Sequence, residues 1–364
     1  MKTICLLTLM FLITVDSFSQ KEDFETIVKN PATKVKLQME SGQYCWSYAT
    51  CSFIESELIR SGKGIYDLSE DYFIYQAYID KAVNYTLRKG MTSFRRGGLS
   101  HDVFRIIKEK GIMPDPFYKI DYIRNNHEPE DVLEAYLNTI LKEEYLTENW
   151  MKHYRALLDS YFSDRPDQFK YNGAIFTPPA FSKYLQINVD NYVSLTSFTH
   201  HPFHSEFVLE LRDNFAGAPS FNLPLNEFLQ AIDTCLSKGF TLVWDGCLDG
   251  DRFSYHKGLA MIPDSDSKIP ELNPDIIENN VDQKKRQIAF ERLQTTDDHL
   301  MHIVGIAKNK QGKKFYIIKD SGGEYGPFKG YIYMSLNYLL MNTVSVTLNQ
   351  SSLPGNIRLM MSKN

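Results

Sequence analysis

The sequence predicts an α+β protein of two lobes, on three observations. The first half of the chain places apolar residues at helical spacing, the second half carries strand-like runs separated by Gly-containing turns, and no internal repeat relates the halves. At 364 residues and 43% hydrophobic, the chain can bury a substantial core in one large domain or two lobes. The formal net charge is −5 and no dense Lys/Arg stripe is present, so neither nucleic acid nor an anionic membrane is indicated as a partner. Aromatic residues are abundant, with 22 Tyr and 23 Phe, which suits cores and groove walls and is compatible with a peptide ligand.

The chain opens with MKTICLLTLMFLITVDSFSQ. One Lys, an apolar run from Ile4 to Val15 and small residues at Ser17 and Ser19 read as a cleaved signal peptide over 1–19, leaving 20–364 as the working chain. The run is short for a permanent span, and Cys5 lies too early for lipid attachment. The expectation is an extracytoplasmic protein, periplasmic or secreted, with no membrane contact after cleavage.

Helices come next. Phe53, Ile54, Glu57 and Leu58 place a helix just after the turn SGQYCW. Ser69, followed by Glu70 and Asp71, opens another, and Ser100 caps one that Gly111 ends. Residues 129–165 read as one or two long helices, and FTPPAFSKYL as a turn and a short helix. Leu225, Phe228, Leu229, Ile232 and Leu236 share one helical face before a strand at Phe240–Trp244. PDSDSKIPELNPDIIENN reads as a loop, and HLMHIVGIAK, KKFYIIKD and GYIYMS as three strands. The helical lobe is expected mainly over 35–200 and the β-rich lobe mainly over 220–350.

Cys45 sits where a loop becomes a helix, where unpaired N–H groups favour a thiolate. Such a nucleophile needs a base and an orienting group. His299, His302 and Asp320 are available in the C-terminal strands; residues three apart on a strand face opposite ways, so sequence order alone leaves the choice of histidine open. Cys45 and Cys51 lie roughly 9 Å apart along one helix, beyond disulfide reach. Cys51 and Cys235 read as buried small hydrophobes, and the disulfide status of Cys235 and Cys247 stays open.

CWSYAT, DHLMHIVGI and YIIKDSGG…GPFKGYIYMS, in that order, resemble the papain superfamily of cysteine peptidases. SGQYCW, GGLSHDV and TSFTHHPF are similar to its bleomycin hydrolase and aminopeptidase C branch. The resemblance implies a papain-like fold, a helical lobe and an antiparallel β-barrel-like lobe with the active cleft between them. It implies Cys45 as nucleophile, His299 as base, with His302 turned into the packed face, and Asp320 at the position of the family's orienting Asn. Gln38 is the counterpart of the oxyanion-hole Gln, with Gly97, Gly98 and Trp46 beside the substrate. No cofactor is implied. The partner is a peptide substrate, and a homo-oligomer is allowed because relatives of that branch form ring hexamers whose C-terminal tails select free N-termini.

The sequence departs from this pattern in three places. Gln38 lies seven residues before Cys45, one more than the usual spacing, so Gln43 is its rival for the oxyanion role. Asp320 replaces Asn, which strengthens the protonated ring. Gly322 stands where an indole usually shields the His–Asn contact, and its absence is expected to leave that pair wetter and weaker. These departures motivate the alternative of a catalytically impaired homologue that binds peptide or a partner protein without turnover. His200, His201 and His204 in THHPFH invite a metal reading, but Pro202 opposes regular helical presentation of ligands, and no metal is expected.

Overall fold

The computed structural model describes residues 23–37, 44–120, 129–163, 165–264 and 270–362. The signal-peptide reading of 1–19, and Gln38 and Gln43, lie outside these residues. After strand β1 (Phe24–Lys29) come helices α1 (Cys45–Arg60), α2 (Glu70–Leu87), α3 (Ser100–Lys110), α4 (Pro129–Ile140) and α5 (Trp150–Phe162), the small hairpin β2 (Phe169–Tyr171) and β3 (Ala174–Phe176), and α6 (Pro178–Leu185). Ser69 caps α2 as expected, accepting from the Tyr72 N–H. At α3 the expected Ser100 cap is displaced by one residue. Leu99 precedes the helix, and the Asp102 carboxylate accepts its N–H at 3.0 Å, because a carboxylate one turn in reaches back to an orphan donor.

The helix that starts at Cys45 is buried on every side rather than along one stripe, the mark of a central helix. Its polar residues are therefore satisfied internally. Ser47 donates to the Glu70 carbonyl at 2.8 Å, Glu55 accepts the Leu68 N–H at 2.9 Å, and Glu57 accepts from Asn349 at 2.7 Å.

The second half holds β4 (Tyr192–Thr196), β5 (Glu206–Val208), β6 (Pro219–Asn222), α7 (Leu225–Ser237), β7 (Leu242–Gly246), β8 (Phe253–Ser254), β9 (Leu259–Ala260), α8 (Gln283–Glu291), β10 (His299–Asn309), β11 (Lys314–Lys319), β12 (Tyr331–Ser335), α9 (Leu336–Asn342), β13 (Thr343–Asn349) and α10 (Gly355–Met361). Their strands form one sheet in the order β5-β6-β4-β13-β7-β10-β11-β12-β9-β8, with β1 on the free half of one edge of β10. The sheet stays open instead of closing into a barrel, and two of its pairings, β4 with β6 and β12 with β9, are parallel. The apolar residues gather in two main clusters. One is drawn largely from the helices up to Leu185, the other from Leu195 to Ile357 on the sheet and the helices that cover it.

Strand β10 places the site. One edge pairs with β11; the other is shared by β7 over His299–Ile303 and by β1 over Gly305–Asn309. Because β10 and β11 are antiparallel, the start of one and the end of the other lie at the same margin of the sheet. His299 and Asp320 meet there, opposite the N-terminus of α1.

Candidate active site

Cys45 is the first residue of α1, and its sulfur accepts the Leu300 N–H at 3.4 Å. His299 lies within hydrogen-bonding reach of the same sulfur on one side. On the other, its Nε2 stands 2.7 Å from Oδ1 of Asp320. Three residues from separate elements thus form one chain, Cys45–His299–Asp320. His299 is 7% exposed and Asp320 4%, so the contact between them is largely screened from water.

Burial alone would pull the His299 imidazole down; the facing Cys45 charge and its hydrogen bonds to Asp320 and Cys45 outweigh that and push it up to about 10. Burial also works against ionisation of Asp320, yet His299 and then Tyr325 hold its carboxyl below the usual range. The ring is therefore held as a cation between two acceptors.

His302 goes elsewhere. It is fully buried, with Nδ1 at 2.8 Å from the Ser52 hydroxyl, seven residues along α1 from Cys45. Ser52 also accepts from Lys319 at 2.7 Å. Burial and then the Lys319 charge keep this ring neutral.

The Cys45 sulfur opens onto a cavity of about 860 Å³. Gly97 and Gly98 form part of its wall, and side chains hold their backbone. Lys81 donates to the carbonyls of Arg95 and Gly97, Trp46 donates to the Arg96 carbonyl at 3.0 Å, and Arg96 pairs with the buried Glu130 at 2.7 Å. Trp46 is 1% exposed and lies beneath Gly98, so it supports the wall from below. Burial lowers the Lys81 ammonium to about 8 against the pull of Asp102, Asp213 and Glu130. Lys81 gave no signal in the sequence, because its partners are backbone carbonyls.

The model of the Peptidase C1-like family matches residues 119–364, which include His299 and Asp320. The chain belongs to this family. Its fold is similar to that of PepW from Lactobacillus rhamnosis HN001, at a TM-score of 0.71 and 16% identity over 93% of this chain and 85% of that one. The bromelain protease from Ananas comosus in complex with the E64 inhibitor aligns over 87% of this chain and 94% of that one, at 13% identity and a TM-score of 0.40. No curated protein sequence matches it.

One expectation for this peptidase C1-like chain is corrected. Gly322 does not leave the His299–Asp320 contact wet, because Tyr325 fills the space. A Cβ at position 322 would stand 2.5 Å from Tyr325 Cε1, and the Tyr325 hydroxyl donates to Asp320 Oδ2 at 2.8 Å. Tyr325 follows three residues later in the same loop, where no helix or strand period marks it.

The four described cysteines, Cys45, Cys51, Cys235 and Cys247, form no disulfide. His200, His201 and Glu210 cluster on the cleft rim. The two Nε2 atoms lie 3.1 and 2.7 Å from the Glu210 carboxylate. The Gln287 amide, oriented by the Thr199 N–H, turns its NH₂ toward His200 Nδ1 at 3.0 Å. That fixes the tautomer of His200 that donates from Nε2, the wrong one for offering a lone pair there to a cation. His204 turns instead to Glu227 at 2.9 Å.

Proposed function

We propose that this peptidase C1-like protein hydrolyses peptide bonds through a thioester on Cys45. The observation that carries the reading is the buried chain from sulfur to imidazole to carboxylate, opening on a cavity of about 860 Å³. The Cys45 sulfur attacks the scissile carbonyl carbon as a thiolate. The tetrahedral oxyanion then collapses, expelling the amine as His299 gives it a proton. Water attacks the resulting thioester while His299 takes a proton back, and the C–S bond breaks to release the carboxylate product. Asp320 keeps the ring turned toward the sulfur. N–H groups at the start of α1, together with Gln38 or Gln43, would steady the oxyanion.

The proposal includes export, on the strength of residues 1–19, and membership of the aminopeptidase C and bleomycin hydrolase branch. Selection of free N-termini by the C-terminal tail is not part of it. Helix α10 buries Ile357 in the sheet-side core, and among the described residues none beyond Leu300 lines the cleft. Tyr325 answers the Gly322 argument for the rival reading, binding without turnover, while Asp320 and the Gln38 spacing still motivate that rival.

Cys45→Ala should abolish both hydrolysis of fluorogenic peptides and labelling by an epoxide thiol inhibitor. Unchanged turnover would sink the proposal. Running the same peptides with and without blocked N-termini separates exopeptidase from endopeptidase action.

A further inference from the structure

Two departures from the family pattern, Asp320 and Gly322, meet at one side chain, Tyr325. Oδ1 of Asp320 holds Nε2 of His299 at 2.7 Å; Oδ2 takes the Tyr325 hydroxyl at 2.8 Å and the Gly322 N–H at 3.3 Å. The phenol ring occupies the volume that any side chain at 322 would need, with the hydroxyl 2.9 Å from the Cβ position. Tyr255 closes the outer side, its ring meeting that of Tyr325 at 5.4 Å between centroids and 67° between planes.

We propose that Tyr325 is a positioning residue for the Cys45–His299 pair: its hydroxyl fixes the Asp320 carboxylate and draws charge from it, while its ring keeps water off the His299–Asp320 contact. This rests on the reading of Cys45 and His299 as nucleophile and base. The chemistry explains why the departures occur together. A carboxylate in place of an amide binds the imidazolium more strongly and so makes it a poorer acid toward the leaving amine. A donor on the far oxygen spreads that negative charge and weakens its hold on the ring. Without a side chain at 322, the ring of Tyr325 also has room to do the shielding. Burial and then the facing carboxylate raise the phenol well above its ordinary value, so it remains a donor throughout the working range.

The other titratable groups around the chain are few. Tyr255 faces Asp320 and Cys45, and Asp297 faces Cys45 from just before β10, where Asp298 adjoins it. Lys319 turns away to Ser52 and Thr33.

The test compares wild type, Tyr325→Phe and Tyr325→Leu by peptide hydrolysis across pH and by the rate at which iodoacetamide alkylates Cys45. In Tyr325→Phe the ring stays and the donor goes: kcat should fall about 10-fold with KM little changed, and the basic limb of the rate profile should move to higher pH. In Tyr325→Leu the donor goes and water also reaches the contact, so kcat falls further than in Tyr325→Phe. Unchanged kcat and unchanged limbs in Tyr325→Phe overturn the proposal, as do identical shifts in both variants that track only a lowered melting temperature. If wild-type Cys45 reacts no faster than the other cysteines near neutral pH and no peptide is cut, the nucleophile–base reading itself fails, and this proposal with it.

Discussion

The Leu300 N–H donates to the Cys45 sulfur at 3.4 Å, tying the first residue of α1 to the second residue of β10. The distance between the lobes at this point, and so the reach from sulfur to imidazole, is set by how closely α1 packs on the strand. Small residues make that approach possible. Ala49 is buried one turn beyond Cys45 and shares the wall of one small pocket with Leu300, Met301 and His302.

Ala49→Leu is therefore expected to push α1 off β10. Overpacking at such a site costs about 1–3 kcal/mol, and a misplacement of roughly 1 Å at the reacting atoms can cost about 100-fold in rate. Thermal unfolding and Cys45 alkylation should both register the change, with reactivity falling further than stability alone explains. Wild-type alkylation in a destabilised variant would show that the packing does not set the reach.

Much of this was legible in the sequence because it is local. The turn before Cys45, the Ser69 cap and the apolar runs of β10 and β11 are read from neighbours in the chain. The choice between His299 and His302 was legible only through the family resemblance and not from periodicity, since alternation puts Leu300 and His302 on the side facing α1 and His299 on the other. His299 reaches the sulfur because it is the first residue of its strand, where the ring can turn around the end of the sheet. Lys81, Arg96 and Tyr325 were missed for a different reason. Their partners are backbone carbonyls, a buried Glu130 and a carboxylate brought near by tertiary folding, and none leaves a periodic trace. The open sheet was missed because strand runs give no sign of which edges pair.

Substrate-side geometry gives the next expectation. A methyl at Gly98 would stand 3.0 Å from Trp46 Cδ2, and that indole cannot retreat, being buried and tied to the Arg96 carbonyl. Gly98→Ala should displace the wall by a few tenths of an ångström, at a cost of about 1–3 kcal/mol. The effect should appear as a raised KM with kcat nearly preserved; a lowered kcat at constant KM would place Gly98 with the chemistry instead.

The charge on His299 predicts the upper edge of activity. With its folded value near 10 against 6.5 in the unfolded chain, the native state holds the proton more tightly between those values. The stabilisation is complete below 6.5 and is lost as pH rises toward 10. Hydrolysis, which needs that proton for the leaving amine, should persist above neutral pH and fall through about 10. Asp320→Asn removes the carboxylate and should draw this basic limb downward. A limb that stays in place after the substitution would mean that Cys45 alone sets the charge of the ring.

His302 runs the other way and supplies a test of stability without reference to catalysis. Its folded value lies well below 6.5, so at mildly acidic pH the unfolded chain binds a proton that the native chain refuses. Stability should therefore fall as pH drops below about 6.5. Other buried groups also titrate in this region. Burial raises Glu70 to about 8 and Asp245 to about 6, and a raised carboxyl favours the native state as pH falls. The wild-type slope alone therefore sums opposing contributions. The difference between wild type and His302→Leu isolates the histidine, since the remaining groups are common to both. Urea unfolding at pH 7.5 and 5.5 should show wild type losing more stability than the variant over this interval. Parallel losses would mean that the ring at 302 takes up a proton in the native state as readily as in the unfolded chain, so that burial and the Lys319 charge do not hold it neutral.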